Sequence, residues 1–217
     1  MTSPMSPKLL RGGLVIVDPN SGSVTRVITL QYNPDSMTRG FQIVSAGEGA
    51  AQGEATRLTG PPAQTVTIEA EMDASDALAQ PGANADVVEL GLAAQLAAIE
   101  TLAWPTLSSV VDNVSLMASG SLEILAPPSP IVLFAFGPNR IVPIRITELA
   151  ITEEAFDPKL NPIRAKVRLG MRILSTSDVG TSGRLGGFAL AAHQRLEHLA
   201  SRARGGRLTD LGISTLS

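Results

Sequence analysis

The sequence has no cysteine. That excludes a disulfide framework, a thiol nucleophile and any cysteine-based zinc site. Aromatic residues make up only 3% of the chain, with one tryptophan and one tyrosine, so the stacking platforms that grip single-stranded nucleic acid are absent. A net charge of -3 gives no global basic surface, and no nucleic-acid partner is expected. His193 and His198 are the only histidines. Five residues apart on a helix they leave a common face and form no metal pair. No apolar run approaches the roughly 20 residues that span a bilayer, so no membrane insertion is expected. The N-terminal MTSPMSPKLLRGG lacks the apolar segment of a signal peptide, which points to synthesis in the cytoplasm. Nothing calls for a metal or a cofactor.

Hydrophobic residues make up 44% of 217 residues, enough for one large domain with an aliphatic core. Alternation, or short apolar runs bounded by turn residues, predicts strands at Leu9–Asp18, Val24–Tyr32, Met37–Ser45, Thr65–Asp73, Leu122–Leu125, Ile131–Phe136, from Val142 to about Ile151, and from Ile163 to Ile173. The strand at 131–136 is apolar at every position and should be buried on both faces. In the next strand the apolar phase flips between Ile146 and Leu149, which predicts a bulge near Thr147-Glu148. Apolar spacing predicts one helix over about 86–103, ended by Pro105. The segment 107–118 is either a short helix or irregular. The organisation expected is a disordered 1–7, a β domain over 8–175 with a long loop at 46–64, a flexible Gly/Ser/Thr linker at 176–187, and an isolated amphipathic helix with a tail over 188–217.

Two rows of charge stand out. Glu69, Glu71 and Asp73 alternate with an apolar face on one strand, and Arg164, Lys166, Arg168 and Arg172 do so on another. They read either as solvated outer faces or as complementary edges that fix register between subunits. Glu153, Glu154 and Asp157 are close in sequence, but they sit at a strand-to-turn junction where acids form turns. No convergent acid pair or Ser-His pair is evident, so no catalytic residues and no enzyme activity are expected. On the C-terminal helix Phe188, Leu196 and Leu199 form an apolar stripe suited to a partner groove or to the chain's own domain.

Two segments are familiar. Gln31-Tyr32-Asn33-Pro34-Asp35-Ser36-Met37, followed by Arg39-Gly40-Phe41, resembles a signature near the start of tube-domain proteins of contractile injection systems, which are phage-tail-like particles. The run Ile151-Thr152-Glu153-Glu154-Ala155-Phe156-Asp157-Pro158, continued by Leu160-Asn161-Pro162-Ile163-Arg164-Ala165, resembles a long hairpin motif of the same family, and Pro128 to Pro143 fits it too. The resemblance spans roughly residues 8–175. It implies an antiparallel β-barrel or sandwich of the tail-tube type with a flanking helix, and six copies in a ring. The adaptor members it points to join the central spike to the inner tube in the baseplate and initiate tube polymerisation. The implied partners are further copies of the chain, the inner-tube protein, a spike or hub protein and baseplate wedge proteins. Such a particle stays in the producing cell or leaves by lysis. Many relatives carry a C-terminal LysM module, for which the residues after Leu174 leave no room. The alternatives are a tube-end or cap-adaptor ring, or, in another class, a ligand-binding β-sandwich module, for which Trp104 and Tyr32 are the available aromatic contacts.

Overall fold

The longest regular feature is the hairpin of β6 (Ile141–Phe156) and β7 (Pro162–Ile173). In β7 the odd positions Ala165, Val167, Leu169 and Met171 are buried, while Arg164 and Arg168 are exposed. A period of two puts these sets on opposite faces. The apolar phase of β6 changes where register with β7 slips between Ile146 and Glu148, so the bulge lies at Thr147. Gly170 faces it. A Cβ there would lie 2.8 Å from Glu148 Cβ, so the glycine makes room for the extra residue.

The computed structural model describes residues 10–44, 58–118 and 130–215. The hairpin is the middle of one seven-stranded antiparallel sheet. Its other strands are β1 (Gly13–Val17), β2 (Val24–Thr29), β3 (Met37–Gln42), β4 (Ala63–Asp73) and β5 (Ile131–Ala135), in the order β2-β1-β5-β6-β7-β4-β3. The chain is mainly β with flanking helices. The sheet curls strongly. Gln31, just past β2 at one edge, exchanges two hydrogen bonds with the backbone of Asp73 at the end of β4, one strand from the other edge: Asp73 N–H donates to Oε1 at 2.9 Å and Nε2 donates to the carbonyl at 2.6 Å. Leu14, Val66, Ile68, Phe134, Val167 and Leu169 fill the concave side.

The helices differ from expectation. In place of one helix over 86–103 there are two, α2 (Ala85–Leu90) and α3 (Ala93–Glu100), after a short α1 (Ser75–Leu78). Gly91 separates them at φ 57° and ψ -131°, a conformation open to glycine. The break lets Leu92 N–H reach the Pro162 carbonyl at 2.8 Å. It also drops Leu92, Leu96 and Ile99 into the core. Segment 107–118 is a helix, α4 (Leu107–Ala118). The expected flexible linker at 176–187 is not one. Thr176–Val179 form α5, closed by a capping box between Ser175 and Asp178, and α6 (Gly183–Ser201) begins five residues before Phe188. Nor is α6 isolated. Leu185 and Phe188 pack on Val17, Ile131 and Leu133, and Arg195 Nη1 donates to the Ile141 carbonyl at 2.9 Å. This helix gives β5 its second buried face, while Phe134 on the other side is fully enclosed.

Strand β4 begins two residues early, at Ala63, which shortens the expected 46–64 loop at the loop's C-terminal end. Residues 1–7, most of the 46–64 loop and the expected strand at 122–125 lie outside the described residues. Among the described residues no helix is long and apolar enough to cross a membrane.

Candidate functional site

The two charge rows meet inside one chain. Strands β4 and β7 pair directly, with Glu69 opposite Arg168, Glu71 opposite Lys166 and Asp73 opposite Arg164. On the other flank β6 contributes two more acids. Asp73 binds Arg164 at 2.9 Å, Glu154 binds Lys166 at 2.9 Å and Glu148 binds Arg168 at 3.4 Å, while Arg172 pairs with Asp178 before α5 closes. The two rows therefore face each other within one chain, with no subunit boundary needed to bring them together. Cross-strand pairing places Arg164, Lys166 and Arg168 beside acids of their own chain, and Arg172 reaches Asp178 on the helical turn after β7. Glu69 and Glu71 make no ion pair within 4.0 Å among the described residues, but their field and the Glu154 contact both raise the Lys166 pKa, Glu154 most. Hydrogen bonds from Ser75, and then the Arg164 charge, hold Asp73 below the usual carboxylate range. Burial pushes Asp178 up, but Ser175 and Arg172 outweigh it and leave the group low. The face is an acid–base–acid stripe across three strands, a surface that favours one register.

The family-motif residues hold turns. Asn33 clasps the entry to β1: Gly12 N–H donates to Oδ1 and Nδ2 donates to the Leu10 carbonyl, both at 2.8 Å. Tyr32, beside Pro34, is about half exposed. Between β6 and β7, Asp157 accepts from the backbone of Lys159 at 2.7 Å and of Asn161 at 2.8 Å, and from Asn161 Nδ2 at 2.8 Å. The Asn161 bonds come first among the causes that depress its pKa. Asn161 Nδ2 also donates to the Glu89 carbonyl at 2.8 Å, tying α2 to the hairpin. Pro158 sits within this turn, Pro162 opens β7, and Leu160 takes φ 67°. Glu153 and Phe156 face solvent at the outer end of β6. The motif therefore builds the loop and its seat on α2. Glu153, Glu154 and Asp157 do not converge on a pocket, and Glu154 is engaged with Lys166. Gln31 opens the first motif, but its pairing with the Asp73 backbone was not foreseen. Its signal was a polar side chain flanking a strand end.

The expected docking helix divides in two. Phe188 is used internally, whereas Leu196 is 61% and Leu199 40% exposed. A second exposed apolar face, which sequence reasoning left open, lies on α4. An apolar cavity of about 230 Å³ opens beside edge strand β2, between β4, β7 and α3, lined by Ile28, Met72, Ile99 and Leu169 among others. Its lining holds no pair of titratable side chains arranged for acid–base work. Among the described residues no group of three or more His, Asp or Glu side chains is placed to hold a metal ion.

No protein-family model matches the chain, and no curated protein matches it. Among solved structures, a chain from the tail of an empty GTA particle, determined with helical refinement and C6 symmetry, aligns over 75% of this chain and 91% of that one, at 12% identity and a TM-score of 0.29. At that score the likeness carries no argument about fold or role.

Proposed function

We propose that this chain is a non-enzymatic structural subunit of a contractile, phage-tail-like particle: a ring-forming baseplate protein that joins the central spike to the inner tube and starts tube polymerisation. The observation that carries the reading is the long motif from Ile151 to Ala165, whose residues resemble the tube-domain hairpin of that family. Two features of the fold support it. Among the described residues the sheet ends in two edge strands, β2 and β3, and sheet edges are closed when neighbours in a ring add strand to strand. The charged stripe stiffens the central hairpin without needing a partner, so the wall of such a ring is preformed. Further copies of the chain, the inner-tube protein, a spike or hub protein and wedge proteins are the partners this role requires, and assembly takes place in the cytoplasm.

The test is deletion of the gene in the producing organism, with particle preparations imaged by negative-stain electron microscopy. Loss of tubes and sheaths is the expected result. Particles of uncontrolled length with intact baseplates move the protein to the distal end of the tube, as a cap-adaptor ring. Unchanged particles overturn the reading.

A further inference from the structure

Helix α6 runs past the sheet it packs on. Its inner stripe begins with Leu185 and Phe188, which rest on Val17, Ile131 and Leu133. Eleven residues further on come Leu196 and Leu199. Eleven residues at 100° each make three turns and about 20°, so the four side chains lie along one line. The first two are covered and the last two are exposed, as is every residue from Leu196 to Thr215. Leu208 and Leu211 add to this exposed apolar surface on a 3₁₀ turn over Leu208–Leu211. The overhang, residues 196–215, carries Arg202, Arg204 and Arg207 against Glu197 and Asp210.

A surface of opposite character lies across the sheet. Residues 74–118 contain no Lys, Arg or His, and they carry Asp76, Asp86, Glu89, Glu100 and Asp112. Within this segment α4 presents Leu107, Val110, Val111 and Val114 at spacings of three and four, the signature of one apolar helix face. All four are exposed, Leu107 to 79%, and Trp104 just before the helix is 73% exposed. Apolar patches of this kind mark interaction sites. The flanking α3 is seated on the concave core with Leu14 and Phe134, whereas α6 sits on the opposite face of the same strands. The sheet therefore separates the basic stripe from the acidic flank in one chain.

We propose that the α6 overhang of one copy docks, apolar stripe to apolar face and Arg202, Arg204 and Arg207 to Glu100 and Asp112, on the α3–α4 flank of a second copy. The contact joins two different surfaces, so it runs head to tail and must close into a ring or extend as a filament. It deepens the self-association part of the proposed function and rests on that part alone.

The absence of cysteine makes the test clean. Full-length Leu199→Cys and full-length Val111→Cys, differently tagged, are mixed and treated with a short bismaleimide. Both sites are exposed, and unchanged circular dichroism verifies folding. The expected result is a mixed dimer well above that of Leu199→Cys with Ser21→Cys, a control on an exposed turn. Combining Arg202→Glu, Arg204→Glu and Arg207→Glu in the Leu199→Cys chain lowers its yield roughly tenfold, and Glu100→Arg with Asp112→Arg in the partner restores it. Mixed crosslinking no higher than the control overturns the proposal, as does a yield indifferent to charge reversal or a binding preference for lipid vesicles over a second copy. A positive crosslink alongside unchanged particles in the deletion strain removes the particle reading and leaves this contact standing. Lost tubes with no crosslink do the reverse.

Discussion

Asn161 shows how much one amide can hold. It caps the Asp157 loop and reaches the Glu89 carbonyl of α2 with the same Nδ2. Asn161→Ala is expected to cost about 1–2 kcal/mol in chemical unfolding and to loosen α2, visible as faster amide exchange there. Gly91→Ala is expected to cost more, at least about 2 kcal/mol, because a Cβ at φ 57° would run into the Pro162 carbonyl. Asp73, Asp157 and Asp178 all titrate below the ordinary 3.8 when folded. The stability they add is complete above that value and is lost as pH falls through the lower folded values. Melting temperature should hold from neutral pH to about 5 and then drop below about 4, and Asp157→Asn should flatten that acid limb. At this scale the sequence singled out the right turn residues, Asn33, Asp157 and Asn161, but not their contacts. Which carbonyl an asparagine reaches depends on an element 72 residues away, and spacing carries no trace of it.

Among the elements, the strands were the most legible. Alternation in β4 and β7 and the phase flip in β6 follow from two-faced packing, which leaves its period in the sequence. The break between α2 and α3 was less so, since Gly91 inside an apolar helical pattern looks like a tolerated glycine until Pro162 is seen to crowd it. The segment after Leu174 was misread for a similar reason. Its Ser, Thr and Gly suit a linker, yet Ser175 and Asp178 three residues apart are also a capping pair. Ser175→Ala should therefore destabilise the chain by about 1 kcal/mol. The charge rows belong to this scale too. Reversing Arg164, Lys166 and Arg168 to Glu would test a contact between subunits only if the rows met no acids of their own chain. With Glu69, Glu71, Asp73, Glu148 and Glu154 on the flanking strands, it should instead destabilise the monomer. Thermal melts should show the largest loss at low salt and partial recovery as salt screens the repulsion.

For the whole molecule, the sequence carried the class, mainly antiparallel β with flanking helices, but not the strand order. The order depends on partners far apart in the chain: Gly13 pairs with Ala135, and Asp73 with Arg164. The two N-terminal hairpins, β1–β2 and β3–β4, do not pair with each other. The β5–β6–β7 meander stands between them. That arrangement has a consequence in time. As the chain leaves the ribosome, each N-terminal hairpin has one strand whose neighbour has not yet been made, and the meander that joins them arrives last. Contacts this distant in sequence slow closure of the sheet. The inner edge of β1 waits for β5 and that of β4 waits for β7, and until then each invites mispairing. Synthesis therefore acts as a timer: a nascent chain cannot finish its wall, or offer a finished wall to a neighbour, before β7, which ends at Ile173 of 217 residues, has been translated.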